Sequence, residues 1–373
     1  MIDAVRLLAM ARKETIQIRR DPRSLALAFA VPVLMLIFFG YAITWDVDDL
    51  PLAVVNEDAG TRGERLVDAF TASGYFVVAV RPARRSDADG LLVRGSVAGV
   101  LIIPPDFSRR MSAGGPAPVQ FLLDGADANT ATIALNYAEA IAGRWSRDAV
   151  LSGRTVALPA DAESRVWYNP TLASRNMIVP GLIAVIMSII AAMLTALTIA
   201  REWERGTMEQ LASTPVHRLE VVLGKLLPYV VIGMADVALA VAVGVTLFGV
   251  PLNGSVLLLA VLTLLFLLGA LGLGIFISAA LKSQVLATQV AMVATYLPAL
   301  LLSGFLFDIA SMPAVLRAIT LVIPARYYVA VTRGIFLKGV GIQVLWVQGV
   351  AMLIFATVGL GLATLAFRKR IAA

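Results

Sequence analysis

Long runs without charge, separated by short polar clusters, dominate this chain. Ser24 to Thr44 is charge-free over 21 residues, close to the roughly 20 needed to cross the hydrocarbon of a bilayer. Met177 to Ala200 is charge-free over 24 residues. Leu226 to Leu281 holds one charge, Asp236, and the turn signal Pro251-Leu-Asn-Gly254 divides it into two spans. Ser283 to Phe307 and Gly339 to Phe367 are charge-free over 25 and 29 residues. The pattern predicts six transmembrane helices, over 24–44, 173–200, 221–250, 254–281, 283–303 and 339–367. Lys282 leaves room only for a short turn between the fourth and fifth.

Two stretches break the pattern. Residues 304–338 are too apolar for a solvated loop, yet Asp308, Arg317, Arg326 and Arg333 interrupt them, and Pro313 and Pro324 preclude one straight helix. They predict a re-entrant hairpin on the external side, whose backbone is satisfied against neighbouring spans. Residues 45–172 are polar enough to fold in water. Leu52–Val55, Tyr75–Val80, Val97–Ile103 and Val119–Leu123 read as short strands rich in Val and Ile. Thr61–Ser73 and Asn129–Leu151 have helical spacing. In the second, Ile133, Tyr137 and Ile141 form a stripe, with Asp127 or Asn129 as the cap. Alternating strands and helices predict a small α/β domain inserted between helices 1 and 2. Trp45 and Trp167-Tyr168 mark its ends as interfacial.

Composition agrees with a bilayer. Of 373 residues, 59% are hydrophobic and 15% charged, where soluble proteins carry roughly 25% charged residues. Absence of cysteine removes disulfide and thiolate chemistry, and a single histidine, His217, leaves no multi-histidine metal site. The net charge of +6 matters through its placement. Residues 1–23 carry six cations, and Arg368, Lys369 and Arg370 form a basic tail at 368–373. Arg201, Arg205, Arg218, Lys225 and Lys282 fall on the same side, whereas 45–172 carry 12 Arg and no Lys against 16 acids. Both termini are therefore expected in the cytoplasm and the α/β domain outside it, in a multi-pass membrane protein. The basic leader is too long, and the first apolar run too extended, for a cleavable signal, so that run is expected to remain as an anchor helix. The basic charge is an orientation signal, and no nucleic-acid partner is expected.

No G-x-x-x-x-G-K-[ST] loop is present; the pair Gly224-Lys225 has Leu219 where the first glycine belongs. The chain is expected to hold no cofactor and to catalyse nothing, drawing energy from an ion gradient or another polypeptide. The most informative segment is Arg201-Glu-Trp-Glu-Arg-Gly-Thr-Met-Glu-Gln-Leu-Ala-Ser-Thr-Pro215. It continues the second span into water, breaks at Gly206, restarts as a short helix and stops at Pro215. Thr207 is the expected N-cap, with Gln210 at the capping-box offset. Met208, Leu211 and Ala212 give that helix an apolar face, suited to a partner groove or to the headgroup layer.

The pattern Glu204-x-Gly206-Thr207-x-Glu209-x-Leu211-x-x-Thr214-Pro215, followed by Gly224-Lys225-x-x-Pro228, resembles the signature of ABC-2 type transporter permeases. Arg20-Asp-Pro-Arg23, Asp124-Gly-x-x-x-Asn129-Thr-Ala131, Trp167-Tyr-Asn-Pro170, Leu302-Ser-Gly-Phe305 and Ile323-Pro-Ala-Arg-Tyr327 extend the likeness along the whole chain, most closely to drug-efflux permeases of Gram-negative bacteria. The resemblance implies an export permease of hydrophobic or amphipathic compounds. It works as a dimer with a second copy or paralogue, beside separate ATP-binding subunits that hold ATP and Mg. A periplasmic membrane-fusion adaptor and membrane lipid are further implied partners. Residues 1–23 become an interface segment at the membrane surface. The short helix in 201–220 becomes the coupling helix, with Glu202, Glu204, Gly206, Thr207, Glu209, Leu211, Thr214 and Pro215 as candidates for the ATPase contact.

Asp236 lies about ten residues inside the third span, where a charge costs about 2.5–3.5 kcal/mol on insertion scales. It reads either as a transport-path residue or as a structural hydrogen bond, through Thr246 or Ser278. His217 reads as a solvated or capping residue. Gly269, Gly272 and Gly274 allow close helix approach. A gradient-driven secondary transporter is the alternative, but it calls for several embedded ionisable groups and inverted repeats. A membrane sensor would need a larger cytoplasmic domain than the roughly 25-residue internal loop.

Overall fold

The computed structural model describes residues 3–43, 49–126, 128–151, 167–169 and 173–367, with a few side chains among them excepted. Trp45, the caps at Asp127 and Asn129, the side chains of Leu211 and Ala212, and the basic tail 368–373 lie outside what is described. The chain forms two compact units, Trp45–Arg165 and the remainder.

In chain order, the larger unit begins with α1 (Ala4–Arg19) and α2 (Pro22–Ala42). The smaller unit comprises β1 (Leu50–Asn56), α3 (Thr61–Ala72), β2 (Phe76–Val80), α4 (Arg85–Val93), β3 (Gly99–Ile103), α5 (Phe107–Ser112), β4 (Gln120–Leu123) and α6 (Ala128–Leu151). The larger unit resumes with α7 (Ser174–Glu204), α8 (Met208–Ser213), α9 (Arg218–Thr246), α10 (Val256–Leu281), α11 (Gln284–Leu301), α12 (Ala314–Thr320), α13 (Pro324–Arg333) and α14 (Ile342–Ala366).

The smaller unit is a four-stranded sheet in the order β2-β1-β3-β4, with β1 parallel to β2 and β3, and β4 antiparallel to β3. Helices α3 and α4 make the crossovers that parallel neighbours require. The central strands read as continuous apolar runs because both faces are covered. Leu50, Leu52 and Val54 pack with Leu66 and Phe70 of α3 and Ala134 of α6. Ala53 and Val55 pack with Val100 and with Ala88 of α4. Tyr137 and Ile141 lie against the first of these clusters, and Tyr137 stacks on Tyr75 at 3.9 Å. Helices α4 and α5 were not expected from the sequence.

In the larger unit, α7, α9, α10, α11 and α14 are long and apolar enough to cross a membrane. The first expected span falls on α2, whose described apolar stretch, Ala28–Ala42, is shorter. Helix α7 is the centre of the packing: 83% of its most apolar window is buried, against 17–50% for the other four. Small residues let the helices meet. A Cβ on Gly272 would stand 2.7 Å from the carbonyl carbon of Gly359, and one on Gly359 2.5 Å from the carbonyl oxygen of Gly269. Gly274 abuts Ala192 and Thr195 of α7 in the same way. Ser278 Oγ accepts the N–H groups of Ile199 and Ala200 at 3.0 and 2.9 Å, adding a polar tie between α10 and α7.

The stretch 304–338 holds α12, α13 and a π-helical turn at Gly334–Lys338, with a 79° bend between Ala314–Thr320 and Pro324–Lys338. That is the shape of a broken span or a re-entrant loop. Arg333 supplies the donors that its irregular backbone needs, at 2.9 Å to the Gly304 carbonyl and 3.1 Å to that of Phe305.

Candidate functional site

The segment after α7 is fixed by a buried cluster of charges. The Lys225 ammonium of α9 donates to Glu14 of α1 at 2.9 Å and to Glu202 of α7 at 3.3 Å. Lys13 reaches Glu202 at 2.6 Å, and the Tyr229 hydroxyl donates to Glu14 at 3.2 Å. Side chains of Glu14 and Lys225 are 1% exposed and that of Glu202 6%. With Lys13, whose side chain is 46% exposed, two cations balance the two buried anions, which is the condition for keeping those carboxylates from water. Gly224 makes room for the approach, since a Cβ there would lie 2.6 Å from the Cβ of Met10 on α1. The Gly224-Lys225 pair, which fails as a phosphate loop, is thus the place where α9 receives α1.

A second set of bonds holds the far end of the segment. Glu220 is buried and accepts from the backbone N–H of Asp3 and of His217, each at 2.7 Å. His217 caps α9, its Nδ1 accepting from Leu219 N–H at 3.4 Å, so the capping reading of this histidine holds. Arg6 donates to the Pro215 carbonyl at 2.7 Å. Both ends of α8 are therefore tied to α1.

Between these ties, the eight candidates face different ways. Glu202 points inward, and Thr207 donates its hydroxyl to the Glu202 carboxylate. That bond uses the hydroxyl as donor and ties the residue before α8 to the buried carboxylate. Glu204 turns sideways and accepts from the N–H of Gln284 at 2.7 Å and from the Gln284 side chain, at the start of α11. Beside it, the Lys282 ammonium sits 4.3 Å from the centre of the Trp203 ring. Gly206 has φ +71°, the left-handed conformation that ends α7. Met208 is buried, Glu209 and Pro215 are exposed, and Thr214 is half-buried. Leu211 presents its backbone in α8, and its side chain is outside the described set.

Asp236 stands apart from this constellation. It is fully buried in α9, and neither of its carboxylate oxygens has a hydrogen-bond partner among the described residues. The expected structural bond to Thr246 or Ser278 is not formed: Thr246 donates to Ala242 O of its own turn at 2.7 Å, and Ser278 serves α7.

Sequence reading missed Lys13, Glu14, Lys225, Tyr229 and Glu220 as parts of the joint. A signal existed, in that Lys225 opens an otherwise apolar span, but its partners lie up to 211 residues away.

A bundle of apolar helices long enough to cross a membrane is the architecture of a membrane permease, and the chain belongs to the ABC-2 transporter family. Residues 22–366 match the ABC-2 family transporter proteins. The chain is 40% identical over 369 residues to YbhS of Escherichia coli strain K12, a "Probable multidrug ABC transporter permease", covering 98% of this chain and 97% of that protein. It is 30% identical over 352 residues to YbhR of the same organism, which carries the same description, covering 91% and 92%. YhhJ of that strain, an "Inner membrane transport permease", is 27% identical, with 86% of each chain covered.

Proposed function

We propose that this chain is the permease subunit of an ABC-2 exporter in the inner membrane, moving hydrophobic or amphipathic compounds outward, multidrug efflux included. ATP and Mg are bound by a separate ATP-binding subunit. Both termini are cytoplasmic and the sheet-containing unit is periplasmic, where it meets a membrane-fusion adaptor. The permease acts as a dimer with a second copy or a paralogue. Likeness to YbhS and YbhR supports the substrate class, and likeness to YhhJ supports the membrane.

The observation that carries this reading is α8: a short helix with Glu209 exposed, braced at both ends against α1 through Glu202, Lys225 and Glu14, and through Glu220 and Arg6. A short helix braced against α1, α7 and α9, with Glu209 exposed, transmits a push on its surface to the bundle. Gly206, Glu209, Thr214 and Pro215 are offered to the ATPase groove, with Leu211 as the apolar candidate from the sequence. Glu202, Glu204 and Thr207 position these residues. Conformational change then follows from the different affinity of the two ATPase states for the two permease states.

Asp236 is the transport-path residue in this scheme. A buried carboxyl with no partner is held at a cost that a structural role does not repay, and a cationic substrate supplies the missing charge. Co-purification of the ATP-binding subunit with the Gly206→Pro/Glu209→Arg chain tests the coupling assignment. Loss of the subunit is expected, and undiminished association with full drug resistance overturns it. Separately, Asp236→Asn is expected to abolish export of cationic but not neutral compounds; equal export of both by a folded variant removes that role.

A further inference from the structure

A cavity of about 330 Å³ opens beside the charged joint, lined from α1, α2, α7 and α9. Its walls are helical stripes of one polarity. On α7 the stripe runs from Ile190 through Leu194 and Leu197 to Arg201; on α2 it runs from Val31 through Ala28 and Leu25 to Asp21, just before the helix. One end is therefore wholly apolar, and the other is polar. Ile190 and Arg201 are about 16 Å apart along the helix axis, so the apolar part accommodates one extended hydrocarbon chain. A volume near 300 Å³ is at the lower end of the range of small-molecule sites, which fits one such chain with a small head.

Charge balance at the polar end selects the head. Glu14 lines the cavity, but its charge is met by Lys225 at 2.9 Å. Asp21 already has a partner of its own. Asp21 and Arg201 both lie within electrostatic reach of the Tyr229 hydroxyl and act on it with opposite sign. An anion drawn to Arg201 thus meets Asp21 as well, and a cation drawn to Asp21 meets Arg201, so neither ion gains a net counter-charge. Hydrogen-bond donors are nevertheless supplied, by the Arg201 guanidinium and the Gln17 amide. We infer that the cavity is a binding site for a single-tailed amphiphile with an uncharged head that accepts hydrogen bonds, as the head of a glycerol monoester does. A neutral lipid of the membrane and an exported compound share this chemistry; the second source rests on the export function proposed above.

The full chain, purified into amphipol, is titrated with monolauroylglycerol, laurate and dodecyltrimethylammonium, which share one chain length and differ in head charge, and thermal unfolding is followed. Saturable stabilisation by the glycerol ester is expected, with each ion weaker by about ten-fold or more. Removing either charge is expected to change that order in opposite directions. Asp21→Asn, which keeps a residue suited to a helix N-terminus, leaves Arg201 unbalanced and strengthens laurate by about ten-fold. Arg201→Gln leaves Asp21 unbalanced and strengthens the ammonium instead. Leu194→Trp, which fills the tail end, abolishes saturation; Ala28→Phe on the facing wall does the same should Leu194→Trp not fold. An ion that binds the unaltered chain as tightly as the ester, or an order of affinities that both charge variants leave unchanged, overturns the site. Native mass spectrometry of the chain extracted without these ligands separates the sources. A neutral-lipid adduct lost in Leu194→Trp supports a membrane lipid, and ester binding without an adduct supports an exported compound. None of these readouts needs the ATP-binding subunit, so failure of the coupling assignment leaves this site testable.

Discussion

The larger unit fastens its helices in two contrasting ways. Along α10 the fastening is steric: Gly269, Gly272 and Gly274 bring backbones of α14 and α7 to contact, with no charge involved. Where α1, α7 and α9 meet it is ionic: Glu14, Glu202 and Lys225 are buried together, and Lys13 reaches Glu202 from the surface. Lipid gives helices little hydrophobic reason to associate, so packing and polar bonds must do so. A glycine seam has one fit and resists displacement. An ionic joint holds as long as its charges balance, and a shift of one member is felt by all. The seam suits a fixed scaffold, and the joint suits a part that relays movement.

The largest expected effect breaks the joint. Lys225→Met leaves Glu14 and Glu202 buried with too little positive charge and is expected to cost about 3–5 kcal/mol, read as a fall in melting temperature of the purified chain. Adding Glu14→Leu removes one charge of each sign, leaves the Lys13–Glu202 pair at 2.6 Å, and is expected to recover most of that loss. At the seam no such rescue exists. Gly272→Leu drives a side chain into the Gly359 backbone and is expected to cost about 1–3 kcal/mol or more, with no apolar second-site change at position 359 restoring it. Recovery there, or failure of the double variant at the joint, would erase the contrast.

Asp236 offers a third case, a buried polar group fastened to nothing. Asp236→Leu is expected to raise stability by about 1–3 kcal/mol, the cost of an unsatisfied buried group, while cation export is lost. Loss of stability in that variant would show that the carboxyl is structural.

These parts differed in how far the sequence disclosed them. Spans were legible because absence of charge is a local property, read residue by residue from Met177 or Gly339 onward. The strands β1 and β3 were legible for the same reason, since burial on both faces leaves a run such as Gly99–Ile103 without a polar position. Helices α4 and α5 were not: Arg85–Val93 and Phe107–Ser112 are short and carry Arg, Asp and Ser, with too few turns to show a stripe. The bond from Thr207 to Glu202 was not legible, because a capping-box spacing is local whereas Glu202 acquires its charge balance from Lys13 and Lys225 through the tertiary fold. The joint was hidden because ion pairs between residues 211 and 189 positions apart leave no periodicity. Asp236 stood out at once, being the one charge from Leu226 to Leu281, but its lack of a partner is visible only in three dimensions.

The smaller unit gives the mildest prediction, and one free of lipid. Burial raises the Asp58 pKa, but hydrogen bonds from the Ser108 hydroxyl, the Ser108 N–H and the Gly63 N–H outweigh it and hold the carboxyl below its usual range. A group lowered on folding adds stability above its unfolded pKa and loses it as pH falls through the folded value. Hydrogen exchange across 50–123 in the full chain is expected to quicken below about pH 4, the ordinary carboxylate range. Asp58→Asn is expected to flatten that dependence. An unchanged acid profile in the variant would remove Asp58 as its cause.

Exposed Glu209 on α8 makes the central claim directly accessible, because the chain contains no cysteine. A single Glu209→Cys should cross-link to the separate ATP-binding chain in native membranes, in a yield that changes when ATP is added. A single Val315→Cys on α12, exposed in the broken segment, should give no such product. A cross-link from position 315 and none from position 209 would contradict the account.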